Sequence, residues 1–221
     1  MTRGNFIALA IAASVLSLIF TTNSHASSAV ILPDPAADVP AATGQQTAVF
    51  AGGCFWCTEA VFEQFKGVKK VVSGFAGGTE KTAHYETVSA GKTDHAESVQ
   101  VTFDPTKITY GTLLKIFFSV AHDPTTLNRQ GPDYGRQYRS AIFYANDEQK
   151  RVAEAYIAQL KAANVFGKPI VTEVTKLSGF YPAEEYHQHF VQLHPDHPYV
   201  VANALPKIEK TRKAFPGLVK K

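Results

Sequence analysis

The sequence predicts an α/β fold in which helices pack on a mixed sheet. Three observations carry this. Strand-like and helix-like apolar segments alternate from Thr47 onward. The series opens strand, helix, strand, with Gly52-Gly53 joining the first two. The roughly 175 residues that follow suit one domain with a buried core.

The chain begins with a targeting segment. Met1-Thr2-Arg3 is positive, Phe6 to Phe20 is uncharged and apolar, and Ser24-His25-Ala26 ends in small residues. The apolar run is short for an anchor. Residues 1–26 are therefore expected to be a cleaved signal peptide, with export to a periplasm or beyond. Residues 27–46, rich in Ala, Pro, Asp and Ser, are expected to be a flexible lead-in. Residues 47–221 form the expected single catalytic domain.

Within that domain Thr47–Ala51 reads as a strand. A helix follows from Cys54 to Lys66, with Gly67 available to end it. Val68–Ala76 is a strand closed by Gly77-Gly78, and a polar stretch runs to Gly91. Ser98–Asp104 alternates, with Val99, Val101 and Phe103 on one face, and Pro105 stops it. Tyr110–Ala121 is helical, with Leu113, Leu114, Phe117 and Val120 inward. His122–Gln137 contains Pro124, Gly131, Pro132 and Gly135 and reads as a long loop, a type that is usually functional. Tyr138–Tyr144 is a strand. Asn146 caps the next helix, with Gln149 at the capping-box position. Ile170–Leu177 is a strand, Glu184–Leu193 a short helix, and Asn203–Phe215 a further helix. A right-handed crossover in the opening unit puts Cys54 at the carboxyl end of the first strand, where open sheets tend to hold ligands.

Composition excludes several functions. Lys and Arg total 22, one of them Arg3 in the leader, against 19 Asp and Glu. That balance gives no electrostatic case for nucleic acid or an anionic surface. No second membrane span is visible, and a monomer is expected. The two cysteines lie three residues apart in an exported chain. A bridge between them closes a tiny loop and stabilises little through chain entropy. A redox role explains the spacing better than stapling does.

Gly53-Cys54-Phe55-Trp56-Cys57 holds both cysteines and the single tryptophan. At a helix start, free N–H groups and the helix dipole favour an anion, so the Cys54 pKa is expected to fall. A buried inert thiol or a structural disulfide remains the alternative. Glu97, two residues before Val99, would share its apolar face. A carboxyl there is desolvated and holds its proton near neutral pH; a Glu turned to solvent at the strand entry is the other possibility. Tyr85, Asp133 and Tyr138 lie in or beside polar loops, where turn chemistry explains them equally well. Phe55 and Trp56 are core or pocket wall. His187, His189, His194 and His197 crowd eleven residues, but the first two point different ways on a helix, and no metal is expected.

Taken together these residues resemble the A-type peptide methionine sulfoxide reductases, over most of the chain from Ala48 to Pro198. The segments that carry the resemblance are Gly53-Cys54-Phe55-Trp56, His84 to Gly91, His95-Ala96-Glu97-Ser98-Val99, Phe103-Asp104-Pro105, Gln130 to Ser140, and Glu184 to Gln188. The resemblance implies a two-layer α/β sandwich with a ferredoxin-like core and an extended C-terminal region. It implies Cys54 as nucleophile, Glu97 as acid, and Tyr85 and Tyr138 as donors to the sulfoxide oxygen. Phe55 and Trp56 become the cage for the substrate methyl group, Asp133 a further polar group, and His187 a residue behind the cage. It also implies reduction of the S-epimer of methionine sulfoxide, free or in proteins, with no bound cofactor and a thioredoxin-type dithiol as reductant. Many members carry resolving cysteines in a C-terminal tail; here Asn203 to Lys221 has none. Cys57 is then the candidate resolving residue, and direct reduction of a Cys54 sulfenic acid by an external thiol is the alternative. Two other functions stay open on sequence: a C-x-x-C thiol–disulfide oxidoreductase, and a binding protein for oxidised peptides.

Overall fold

In a computed structural model of the chain, Met1 and residues 32–40 and 43–220 are described. The leader's apolar run and its expected cleavage point lie outside them. Among the described residues no helix is long and apolar enough to cross a membrane.

Among the described residues eight strands and six α-helices follow one another. They are β1 (Gln46–Gly52), α1 (Phe55–Phe62), β2 (Val68–Ala76), α2 (Tyr85–Ser89), β3 (Ala96–Phe103) and α3 (Tyr110–Ile116). Next come β4 (Arg129–Gln130), β5 (Asp133–Tyr134), β6 (Ser140–Tyr144), α4 (Asp147–Ala162), β7 (Glu173–Lys176), β8 (Phe180–Pro182), α5 (Phe190–Leu193) and α6 (Leu205–Ala214). Six strands form one sheet in the order β7-β6-β1-β3-β2-β8. β3 is antiparallel to both β1 and β2, so β1 and β2 run parallel with β3 inserted between them. β6 is antiparallel to β1 and parallel to β7. The central order β6-β1-β3-β2 is a split βαβ, the ferredoxin-like arrangement.

Strand alternation divides the core. Phe50, Val71, Phe75, Val99, Val101, Phe103 and Ile142 turn to the face that receives Val61, Phe62, Leu113, Leu114, Val152, Tyr156 and Leu160 from the helices. Phe50 lies against Phe62 and Phe117, with centroids 5.2 and 5.1 Å away. The opposite face carries a smaller cluster of mostly small residues, Val49, Ala51, Ala76, Ala96, Ala141 and Phe143. Residues at i and i+2 of each strand thus serve one layer, as the sequence pattern requires.

Local chemistry explains the element ends. Asn146 Oδ1 accepts from the Gln149 N–H at 2.9 Å. The return bond of the box goes one residue early, from Ala145 N–H to Gln149 Oε1, while Gln149 Nε2 donates to the Thr47 carbonyl. The cap therefore also ties α4 to β1.

Several boundaries differ from the sequence expectation. Residues 32–40 of the expected lead-in lie against the domain. Leu32 is 1 % exposed, the Pro33 carbonyl accepts from Tyr156 Oη, and Asp38 Oδ1 accepts from the Gly111 N–H. One buried leucine and well-placed turn acceptors suffice to anchor it, and an Ala/Pro-rich composition conceals both. The long loop holds the β4–β5 hairpin. The expected Glu184–Leu193 helix is broken into a single 3-10 turn, Glu185–His187, and α5. His189 sits between them at φ +54°, its N–H donating to Glu59 Oε2 at 2.9 Å. A tertiary partner outweighs continuation of the helix.

Candidate active site

Cys54 is the residue before α1, at φ −50° and ψ 121°, so its sulfur sits at the helix entrance. The turn that brings it there needs Gly53. That residue holds φ +84°, and a Cβ would lie 2.5 Å from Gln130 Cβ. Gln130 is itself fixed, accepting from the Asp123 N–H and donating to its carbonyl at 3.0 and 2.7 Å.

Glu97 is 2 % exposed and turns inward, paired across β2–β3 with Phe75. Its Oε2 accepts from the Phe55 N–H at 3.0 Å. That N–H is one of the first-turn donors a helix leaves unpaired. Burial pushes the Glu97 carboxyl up to about 8, helped by the nearby Asp133 and Cys57 and opposed by the Phe55 hydrogen bond. At pH 7 it is mostly protonated and can donate.

Aromatic rings surround this pair. Phe55 lies 5.8 Å from Phe75 and 6.3 Å from Tyr85, between centroids. Trp56 stacks on Phe190 at 3.7 Å and donates from Nε1 to His187 Nδ1 at 3.1 Å. His187 is buried, and Gln188 beside it is clamped to both backbone groups of Ser73 at 2.9 Å. The Tyr85 N–H donates to Glu184 Oε1, and Gln137 Nε2 donates to the Ser89 carbonyl, which sets Tyr138 opposite α2. Burial raises both phenols, Tyr85 to about 12, so each stays a proton-bearing donor.

A cavity of about 180 Å³ gathers Cys54, Phe55, Trp56, Tyr85, Glu97, Asp133, Tyr138 and Tyr199. A larger one, about 540 Å³, shares Cys54, Asp133 and Tyr199 with it and adds Cys57. Glu97, Tyr85, Tyr138 and the Phe55 and Trp56 rings all line the smaller cavity.

The thiols depart from the sequence expectation. Cys54 is 9 % exposed; burial, then the Cys57 sulfur and Glu97, push it well above its ordinary value, against a lowering hydrogen bond from Tyr199. Cys57 is held below its ordinary value by the hydrogen bond from Cys54, with Lys207 assisting against burial. The position at a helix start is as expected; desolvation outweighs it.

A family model described as "Peptide methionine sulfoxide reductase" matches residues 46–217. The chain belongs to that family. A Synechocystis relative, peptide methionine sulfoxide reductase MsrA 2, is 56% identical over 194 residues, covering 86% of this chain and 91% of the relative. A Deinococcus radiodurans MsrA is 51% identical over 171 residues, 77% of this chain and 82% of its own. Among solved structures, reduced Mxr1 of Saccharomyces cerevisiae aligns with a TM-score of 0.63 at 34% identity, covering 69% of this chain and 87% of that one. Methionine sulfoxide reductase A of Corynebacterium diphtheriae aligns at 0.60 and 35% identity, over 70% and 77%. The chain is thus an A-type peptide-methionine sulfoxide reductase, an enzyme of oxidative-damage repair. This family membership favours catalysis of sulfoxide reduction over the oxidoreductase and binding-protein readings.

Of the residues singled out on sequence, Cys54, Phe55, Trp56, Tyr85, Glu97, Asp133 and Tyr138 meet in one cavity. His187 stands behind it, holding Trp56. Cys57 lies one turn along α1 and faces the larger cavity. The four histidines do not cluster: among the described residues, the one metal-competent group joins His189 to Glu59 and Glu63, without the other three. The sequence reading missed Tyr199, whose Oη donates to Asp133 Oδ2 at 2.5 Å and which lines both cavities. It lies one residue past the end of the recognised resemblance, in a segment with no periodic signal.

Proposed function

We propose that the reductase acts on the S-epimer of methionine sulfoxide through a two-cysteine cycle. The sulfoxide enters the 180 Å³ cavity with its methyl group against Phe55 and Trp56. Its oxygen receives hydrogen bonds from Tyr85 and Tyr138 and the proton of Glu97. With Cys57 as thiolate, the Cys54 proton passes to it as Cys54 attacks the sulfoxide sulfur. The S–O bond breaks, the oxygen ends on Cys54 as a sulfenic acid, and methionine leaves. Cys57 sulfur then attacks the Cys54 sulfur, water departs, and a Cys54–Cys57 disulfide remains. A thioredoxin-type dithiol restores both thiols. The mature enzyme is exported, functions without a bound cofactor and acts as a monomer; the positive, apolar and small-residue order of residues 1–26 supports the export.

The observation that carries this reading is a buried, proton-bearing Glu97 hydrogen-bonded to the residue after Cys54. Residues 27–221, given dithiothreitol, should release methionine from the S-sulfoxide and not from the R-sulfoxide. Cys54→Ser should abolish release. Cys57→Ser should release one methionine per chain and then stop when a thioredoxin-type dithiol is the sole reductant. Wild-type activity in Cys54→Ser would overturn the nucleophile; sustained turnover in Cys57→Ser would overturn the disulfide.

A further inference from the structure

The larger cavity is lined by both cysteines. Cys57 lines this cavity and not the smaller one, whereas Cys54 lines both. At about 540 Å³ it has the volume of a small-molecule site. Cys57 is 1 % exposed, and it lines this cavity.

The lining is basic. Lys168, Lys207 and Lys210 contribute three ammonium groups, against Asp123 and Asp133. Both carboxylates are engaged: Asp133 accepts from Tyr199 Oη, and Asp123 Oδ1 accepts from the Thr125 N–H and hydroxyl. His122 adds no charge, because burial pushes it down to about 3. Lys207 Nζ gives one hydrogen bond to the Ala121 carbonyl and keeps two N–H groups free of it. Lys210 is held below its ordinary value by burial and by Lys207. Two crowded ammonium groups beside a reactive sulfur are relieved by an anion.

We propose that this cavity admits an anionic low-molecular-weight thiol, one bearing carboxylates beside its sulfhydryl, which reduces the enzyme at Cys57. The inference rests on the Cys54–Cys57 disulfide proposed above. The incoming thiolate forms a bond to Cys57 Sγ, the S–S bond breaks, and the electron pair leaves on Cys54 Sγ, which takes a proton from solvent because its burial disfavours the anion. A second thiolate attacks the small molecule's own sulfur in the mixed disulfide. Cys57 departs as thiolate and the small-molecule disulfide leaves. Two thiols are oxidised and one protein disulfide is reduced. A protein dithiol serves the same bond only by reaching into this concavity.

The test begins with enzyme oxidised by one equivalent of substrate. A thiol count of zero confirms the starting disulfide; a surviving free thiol overturns the cycle above and this proposal with it. Reduction is then followed with glutathione, 2-mercaptoethanol and cysteamine at equal thiolate concentration, in low and high salt. Glutathione should react fastest and cysteamine slowest, by on the order of tenfold at each step, with the spread collapsing in high salt. Lys168→Glu/Lys210→Glu should abolish the ranking while leaving methionine release in a single turnover unchanged. The milder Lys168→Gln/Lys210→Gln pair should fall between. In Cys54→Ser, glutathione disulfide should label Cys57 in a peptide map. With zero thiols at the start, equal rates for the three probes, or a ranking that survives both Lys pairs, would overturn the basic-cavity route. So would rapid reduction by a thioredoxin-type protein alongside uniformly slow small thiols. None of these three results touches the disulfide itself.

Discussion

Replacing Glu97 by Gln isolates one proton. Glu97 Oε2 accepts the Phe55 N–H at 3.0 Å, and the amide oxygen of Gln keeps that acceptor. The helix entrance and the position of Cys54 are therefore preserved, while the transferable proton is lost. General-acid catalysis of this kind is worth about 10²–10⁴-fold, and the burst of methionine release should fall by that much with little change in sulfoxide affinity. The pH dependence is the sharper readout. With the carboxyl pushed up to about 8, the wild-type burst rate should be level from about pH 6 to 7 and fall about tenfold per unit beyond 8. The amide in Glu97→Gln has nothing to titrate, so the residual rate of that variant should lack the alkaline fall. Stability should respond as well. A carboxyl raised from its ordinary 4.5 to about 8 favours the folded state fully below pH 4.5 and loses that contribution as pH rises to 8. Glu97→Gln should thus gain melting temperature relative to wild type on going from pH 5 to 9. Rapid-quench single turnovers at fixed saturating sulfoxide, with melting curves at each pH, measure both. A burst rate for Glu97→Gln within threefold of wild type, or a wild-type profile flat through pH 9, would refute the assignment.

Gly53→Ala should destabilise by about 2 kcal/mol or more, through its left-handed backbone and the Gln130 clash. It should also slow the burst, and thermal melting with the same quench assay reads both. Glu59 is another buried carboxyl pushed up to about 8, by burial and then by Glu63, and one of its oxygens has no partner among the described residues. Glu59→Gln should leave stability near wild type at pH 5 and raise it at pH 9. Parallel melting curves at the two pH values that keep a constant offset would contradict that.

Much of the layer arrangement is legible because it rests on period. Val99, Val101 and Phe103 mark the inward face of β3, and Glu97 follows from them by counting back two. The Asn146 cap is legible because it is a contact three residues long. What escapes the sequence depends on partners far along the chain. The break at His189 answers to Glu59, 130 residues earlier. The β4–β5 hairpin is held by Gln130 on the backbone of Asp123, not by strand propensity. Leu32 is buried by α4 and its neighbours, which a composition window cannot see. Tyr199 has no local signal at all. The thiol pair shows the same limit in energy rather than geometry: the helix start is local and readable, whereas the desolvation that outweighs it is set by the whole enclosure.

The Phe55 N–H that binds Glu97 belongs to the peptide link immediately after Cys54. In the proposed reaction, attacking sulfur and proton source are therefore referred to one planar peptide unit, through one hydrogen bond. If the helix entrance shifts, both shift together. In the proposed reaction, bond formation to sulfur and protonation of its oxygen are kept in step by that one peptide and its hydrogen bond to Glu97.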